Sequence, residues 1–376
     1  KEVLHVNKLI NKSNQSHLFS TQLNQSPLYF LMTTFMQPSF TFYAISDFGN
    51  PTEELKQVAK AMDLYARQNE APSVILGLGD NFYPHGVESA DSPAFREVWS
   101  DIFLRYEALQ VPWKMILGNH DYMSNPYAQI EFTNHVNNTM NLWHMPNNHY
   151  KFSQNGDFAE FFAVDTNGCQ GHVQRSHPGT INDLLSQLQW LDKEMKASTA
   201  HWKFVFGHHP MHNKGKGHGS VAKCLREEQY SHFVKPRGRY CTPDEYEVVQ
   251  SRGFGMENIV SQHDRTVYLS GHEHVFQHHH AKGVQHVGCG NSGAEVRSGE
   301  GFYRGPDPEV DIDWFDATNT FGFVAVAVTP ERVKIDFVNA RGESFEQVIV
   351  NAREESFEQV IVGARGASVE KVEDTC

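Results

Sequence analysis

A chain of 376 residues, 39% of them hydrophobic, can bury a full core, and no run in it approaches the roughly 18–20 apolar residues that span a bilayer. Its net charge of −13 argues against a nucleic-acid or anionic-membrane partner, because either calls for a basic face. Length alone allows one large domain or two small ones.

Residues 1–38 begin with a stretch rich in Asn, Gln, Ser and Lys that lacks apolar periodicity, the composition of a disordered extension. The apolar patch Leu28–Met36 has neither the basic flank nor the small-residue cleavage site of a secretory signal. From residue 39 to about 350, strands alternate with helices. Phe40–Ser46 reads as a strand leading into Asp47, and Pro51-Thr52-Glu53-Glu54 opens a helix with Leu55, Val58, Ala59 and Met62 on one face. The strand Val74–Leu78 leads to Asp80, a helix follows over Ala94–Leu104, and the strand Trp113–Leu117 ends at the Asn119 turn. Tyr150–Ser153 and Ala159–Val164 read as a hairpin around Gly156, and Ile181–Lys196 as a helix whose leucine stripe is core. His201–Phe206 is a strand ending at His208, followed by a long polar segment over 212–253.

Thr266–Ser270, Val275–His280, Gln285–Gly288, Phe321–Thr329 and Arg332–Val338 read as the strands of a second sheet region. Within them, His278-His279-His280 is expected at the surface. The architecture this predicts is α/β in the broad sense (a four-layer α+β arrangement), two mixed β-sheets packed as a sandwich and flanked by helices. At the C-terminal end Asn339–Val350 (NARGESFEQVIV) recurs as Asn351–Val362, differing only at Gly342 versus Glu354. One copy is expected to complete a sheet edge, and 351–376 is read as a duplicated segment and tail, because a solenoid needs three or more units.

None of the five cysteines has the C-x-x-C spacing of a structural zinc site. Cys224 and Cys241 flank a charged segment and would staple it in an oxidising compartment.

Five apolar runs end in residues that bind metals. They lead into Ile45-Ser46-Asp47-Phe48-Gly49, Gly77-Leu78-Gly79-Asp80-Asn81-Phe82-Tyr83, Gly118-Asn119-His120-Asp121, Val205-Phe206-Gly207-His208-His209 and Gly271-His272-Glu273-His274. His-x-His alone is a weak signal in a chain with 22 histidines. Ligands of an open α/β sheet gather outside the carboxyl ends of the strands, so five such ends make one shared site the economical reading.

In this order the motifs resemble those of the purple acid phosphatases, a branch of the calcineurin-like metallophosphoesterases. That family's pattern is D-x-G, G-D-x-x-Y, G-N-H-[D/E], V-x-x-H and G-H-x-H, and all five are present between about Phe40 and Val338. Gly79-Asp-Asn-Phe-Tyr-Pro84 looks most like the small, mammalian-type enzymes. The resemblance implies the metallophosphoesterase fold and a dinuclear acid phosphatase in which a metal-bound hydroxide attacks phosphomonoesters in line. Its rivals are a phosphodiesterase or nucleotidase of the same superfamily and a non-catalytic scaffold.

Carried over residue by residue, the resemblance assigns Asp47, Tyr83 and His274 to ferric iron, and Asn119, His208 and His272 to a divalent iron, zinc or manganese, with Asp80 bridging. Gly49 stands where the wider superfamily has a histidine, and Tyr83 offers a phenolate instead. His120 is the expected general acid, with Asp121 orienting it. His218 is preferred over His212 as a second catalytic histidine, and His209 only lines the site. Asp165 is expected to serve a turn. The implied substrates are small phosphomonoesters, with phosphoprotein and nucleotide as further candidates. The implied enzyme is a monomer, secreted or lysosomal/vacuolar.

Overall fold

Runs dense in aromatic and β-branched residues extend because such side chains pack well on a pleated sheet and crowd the preceding turn of a helix. The computed structural model describes residues 38–177, 179–214, 219–226, 255–293, 313–316, 320–352, 357–361 and 368–371. In it these runs form β1 (Phe40–Ile45), β2 (Val74–Gly77), β3 (Trp113–Met115), β4 (Trp143–His144), β5 (Tyr150–Gln154), β6 (Ala159–Ala163), β7 (Trp202–Phe206) and β8 (Thr266–Ser270). Beyond them come β9 (Phe276–Ala281), β10 (Val284–Cys289), β11 (Trp314–Phe315), β12 (Gly322–Val328), β13 (Arg332–Asn339), β14 (Ser344–Asn351), β15 (Phe357–Ile361) and β16 (Ser368–Lys371).

Two mixed sheets result, in the orders β16-β15-β14-β13-β12-β1-β2-β3-β4 and β11-β9-β10-β8-β7-β6-β5. β1, β2, β3 and β4 run parallel in the first, and β6, β7, β8 and β10 in the second. The sheets face each other across an aromatic core, where Phe42 meets Phe161 and Phe204 edge to face at 5.2 and 5.0 Å between centroids.

A helix covers each outer face. Glu53–Gln68 begins where the Thr52 hydroxyl accepts from the Leu55 N–H, with Glu53 and Glu54 in the first turn. It buries Leu55, Val58, Ala59 and Met62, and its Tyr65 hydroxyl donates to Asp336 on β13 at 2.8 Å. Thr180–Ala197 lays Leu184, Leu188 and Leu191 on Phe162, Val205 and Tyr268 of the second sheet. The four expected layers are therefore present, helix, sheet, sheet, helix.

The strands expected over 321–329 and 332–338 in a second sheet join the first instead, where β12 pairs antiparallel with β1. Four further local expectations need revision. The helix expected over 94–104 is a π-helical turn, Phe95–Ser100, running into Asp101–Phe103. Phe95 stacks on Phe132 at 3.7 Å and Trp99 packs against Trp113 and Trp143, so ring packing dictates the turn. The second copy of the repeat, read as duplicated segment and tail, extends the first sheet: Phe357–Ile361 pairs antiparallel with β14, which contains the first copy's FEQVI. His278 is fully buried, contrary to the surface expectation, because β9 is an interior strand with β10 on one side and β11 on the other. Its Nε2 lies 2.7 Å from Gln285 Oε1.

The fourth revision concerns the cysteines. Cys224 is bonded to Cys169, not to Cys241, which lies outside the described residues. Cys169 ends the turn after β6, and Cys224 sits on the helix Gly219–Leu225 that packs on that turn, a neighbourhood no short spacing announces. The bond closes a loop across 55 residues of sequence, so Cys169→Ser is expected to cost about 2–5 kcal/mol of stability. The urea midpoint should fall accordingly, and an unchanged midpoint under oxidising conditions would show that the cross-link does not constrain the unfolded chain. Residues 1–37 and His218 also lie outside the described residues.

Candidate metal centre

Three of the five ligand-bearing loops leave the carboxyl end of a parallel strand through an unusual backbone. Asp47, Asp80 and His272 have φ of 55°, 52° and 69°, the left-handed region that a non-glycine residue enters at a cost of roughly 1–3 kcal/mol. Tertiary hydrogen bonds hold them there. The Asp47 N–H donates to the Gly79 carbonyl at 3.1 Å, and the His272 N–H to Asp47 Oδ2 at 2.8 Å. The Ser46 hydroxyl joins the first two loops, lying 3.2 Å from the Leu78 carbonyl and 3.3 Å from that of Gly79.

Seven side chains converge in two groups. In one, the Tyr83 hydroxyl lies 3.0 Å from Asp47 Oδ1, 3.0 Å from Asp80 Oδ2 and 3.2 Å from His274 Nε2, and His274 Nε2 is 3.3 Å from Asp47 Oδ1. In the other, His208 Nε2 lies 3.2 Å from Asn119 Oδ1, 3.2 Å from His272 Nδ1 and 3.5 Å from Asp80 Oδ1. Asp80 thus directs one carboxylate oxygen to each group. Donors about 3 Å apart match the edges of a coordination shell whose metal–ligand bonds are about 2.0–2.2 Å.

The donor chemistry fits a cation. His208 Nδ1 lies 2.8 Å from the Leu78 carbonyl, which only accepts, so in the neutral ring that a metal binds, that nitrogen carries the hydrogen and Nε2 presents a lone pair. Nε2 meets Asn119 Oδ1 and Asp80 Oδ1, two further lone-pair donors, in a buried site. A positive ion removes that mutual repulsion. Burial, then the charges of Asp47 and Asp80, drive the Tyr83 hydroxyl well above its ordinary pKa, so only a strongly charged cation would hold it as phenolate. Burial works to raise the Asp47 carboxyl, yet the His274 hydrogen bond and charge hold it below its usual range.

Gly49 explains the exchange of histidine for tyrosine. Its carbonyl accepts from the Tyr83 N–H at 3.0 Å, and a Cβ there would lie 2.5 Å from that same nitrogen. A histidine at 49 therefore has no room, and the tyrosine supplies the donor from the other side of the contact.

Three other expectations meet a definite geometry. The His120 N–H donates to Asp80 Oδ1 at 2.9 Å, and its ring Nδ1 lies 2.7 Å from the Pro84 carbonyl. Asp121 does not orient that ring. Its carboxylate accepts from the N–H groups of Gly118, Asn81 and Phe82 and from Gln129 Nε2, so it clamps the 79–83 loop to the 118 turn. Burial and then the Asp80 charge push the Asp121 carboxyl upward. His212 Nε2 lies 2.6 Å from Glu257 Oε1, in a separate cluster with His279 and His286.

Asp165 serves the expected turn, accepting from the Asn167 N–H, and it also takes the Tyr122 hydroxyl. His209 lines the second group, its ring 4.3 Å from that of His272 and its Nδ1 2.8 Å from the Thr166 hydroxyl. Two neighbours escaped the sequence reading. Thr166 is one, and His172, beside the Asn119 backbone, is the other. Burial, foremost, lowers the pKa of His172. His172 stands away from any strand end, and Thr166, though three residues past β6, is not a metal-type residue, so no linear signal marks them.

A two-sheet sandwich with carboxylate, imidazole, amide and phenol donors at its parallel strand ends defines a metal-dependent phosphoesterase. The calcineurin-like phosphoesterase family model matches residues 40–276, and the chain belongs to that family. Within it, the chain is similar to the purple acid phosphatases. It is 25% identical to tartrate-resistant acid phosphatase type 5 of Mus musculus over 323 residues, which span 82% of this chain and 89% of that one. To purple acid phosphatase 4 of Arabidopsis thaliana it is 24% identical over 320 residues, 82% of this chain and 83% of the other. Among solved structures, GAP50, described as the anchor in the inner membrane complex of Plasmodium, shares the fold with a TM-score of 0.58 and 20% identity, over 84% of this chain and 90% of that one.

Proposed function

We propose that the protein is a dinuclear acid phosphatase that hydrolyses phosphomonoesters, with Asp47, Tyr83 and His274 holding ferric iron. Asn119, His208 and His272 hold a divalent iron, zinc or manganese, and Asp80 bridges. The observation that carries this reading is the division of the Asp80 oxygens between two groups of donors. A phenol and two carboxylates form a hard, anionic set suited to a trivalent ion, whereas two imidazoles and an amide oxygen suit a divalent one. Bound, the pair of ions supplies an activated water and neutralises phosphate charge.

The chain's own residues do the rest. The Pro84 carbonyl only accepts, so His120 Nδ1 carries a hydrogen and the exchangeable proton resides on Nε2. That atom has no hydrogen-bond partner among the described residues. From it a proton passes to the departing alkoxide as the phosphorus–oxygen ester bond breaks in line with the attacking oxygen. The His120 N–H on Asp80 keeps the ring beside the metal donors. His218 serves as the second proton-handling histidine in this reading, and Asp121 acts by holding loops. The Cys169–Cys224 disulfide supports an oxidising compartment, outside the cell or in a lysosome or vacuole. No helix among the described residues is long and apolar enough to cross a membrane.

An anchoring role such as GAP50's description gives that protein requires none of the seven donors, so their joint assembly supports catalysis here. The test is a visible spectrum of the metal-loaded protein, with metal analysis and a 4-nitrophenyl phosphate assay. A broad tyrosinate-to-iron band that disappears in Tyr83→Phe is expected. A colourless, active protein with two divalent ions would overturn the ferric assignment, and one that is colourless and inactive when fully loaded would overturn the catalytic reading.

A further inference from the structure

A second cluster of metal-type donors lies on the second sheet, outside the seven described above. His212 follows β7 in the loop that carries His208, Glu257 sits on the helix Met256–Val260, and His286 is on β10. One donor atom from each lies within 4.8 Å of the other two. Lys282 Nζ holds Glu257 Oε2 at 2.6 Å and leaves Oε1 on the His212 side, where His212 Nε2 stands 2.6 Å away. The His286 ring lies 4.6 Å from that of His212 and 6.4 Å from that of His279.

Two independent observations point to a ligand here. His286 is 5% exposed, and neither of its ring nitrogens has a hydrogen-bond partner among the described residues. A buried imidazole with both nitrogens unsatisfied is costly, and such groups normally find a partner. The second is a cavity of about 10 Å³ lined by His212, His279, His286, Tyr268 and Gln277. That volume admits one water-sized sphere and no organic molecule. The occupant is a cation rather than an anion, because the His212 and His286 rings that line the cavity offer lone pairs and Glu257, 2.6 Å from His212 Nε2, adds a negative charge nearby. Burial, foremost, drives His286 toward the neutral form that ligates.

We propose that His212, Glu257 and His286 form a third, mononuclear site for a divalent ion of the zinc class. Two imidazoles and a carboxylate are a zinc donor set, and a water completes the tetrahedron. The ion staples the loop after β7 to β10 and to the helix Met256–Val260. It therefore steadies the segment that presents His208, without taking part in the reaction.

The test uses the full chain, stripped of metal and titrated with zinc, with bound ions counted by native mass spectrometry. In an Asp80→Ala background, which disables the catalytic pair, about one tightly bound zinc per chain is expected to remain, and adding His286→Leu should remove it. Glu257→Gln, a smaller change that guards against a folding failure of His286→Leu, should weaken that zinc by about tenfold or more. Zinc should also raise the melting temperature of the Asp80→Ala protein and not that of the double variant. Equal zinc content and an equal thermal shift with and without His286 would overturn the proposal. Because the Asp80→Ala background does not depend on the catalytic pair, failure here leaves the phosphatase reading standing.

Discussion

Asp80→Ala is expected to lower turnover of 4-nitrophenyl phosphate by at least about a thousandfold, equivalent to roughly 4 kcal/mol of transition-state stabilisation. The size of the effect follows from geometry. One oxygen of this carboxylate lies 3.0 Å from the Tyr83 hydroxyl in the first donor group, and the other lies 3.5 Å from His208 Nε2 in the second. The second oxygen also accepts the His120 N–H, so a single truncation weakens both proposed ion sites and releases the backbone of the expected general acid. Asp80→Asn retains the shape and removes the charge, and should lose metal with less disturbance of the fold. Metal content, turnover and circular dichroism should be measured together. Wild-type turnover in a correctly folded Asp80→Ala protein would refute the shared-carboxylate arrangement.

Gly118→Ala is the second large effect, although it adds one methyl group and no charge. A Cβ at 118 would stand 2.1 Å from the Asp80 backbone nitrogen and 2.2 Å from Asp80 Oδ1, and the backbone atom cannot rotate away. The Gly118 N–H also donates to Asp121 at 2.8 Å, so the 118 turn cannot retreat without breaking the clamp on the 79–83 loop. The expected result is about 1–3 kcal/mol of lost stability from overpacking, together with metal loss and a fall in turnover of at least about a hundredfold. Gly171→Ala is the matched control. Its nearest neighbour beyond the local helix backbone is the Arg175 guanidinium at 3.7 Å, so stability should stay within about 0.5 kcal/mol. Similar melting temperatures and activities for the two variants would show that the turn yields where the geometry says it cannot.

The two variants mark the limit of what linear reading reveals. That Asp80 is a candidate metal ligand is legible from a glycine-aspartate turn at the end of Val74–Gly77. That Gly118 must lack a side chain depends on a contact between loops 38 positions apart, which no local pattern encodes. Asp121 makes the same point. Standing next to His120, it looks like that residue's orienting group, but the turn swings its carboxylate toward Gly118, Asn81, Phe82 and Gln129. The π-helical turn at Phe95–Ser100 escaped notice because helical spacing was correct and only the ring contacts of Phe95 and Trp99 set the winding.

The sequence by itself determined the strand ends, the covering helices and the donor residue types. Each depends on a few consecutive residues: a β-branched or aromatic run, a capped helix, a polar residue in a glycine turn. Tertiary structure alone decided how the Asp80 oxygens are divided, why Gly49 excludes a histidine, and that Cys224 pairs with Cys169. It also decided that His278 and His286 are buried and that His212 turns to Glu257. These depend on which strands become neighbours and how closely their loops approach. Both are settled by packing two sheets around one core, over separations at which sequence patterns carry no register.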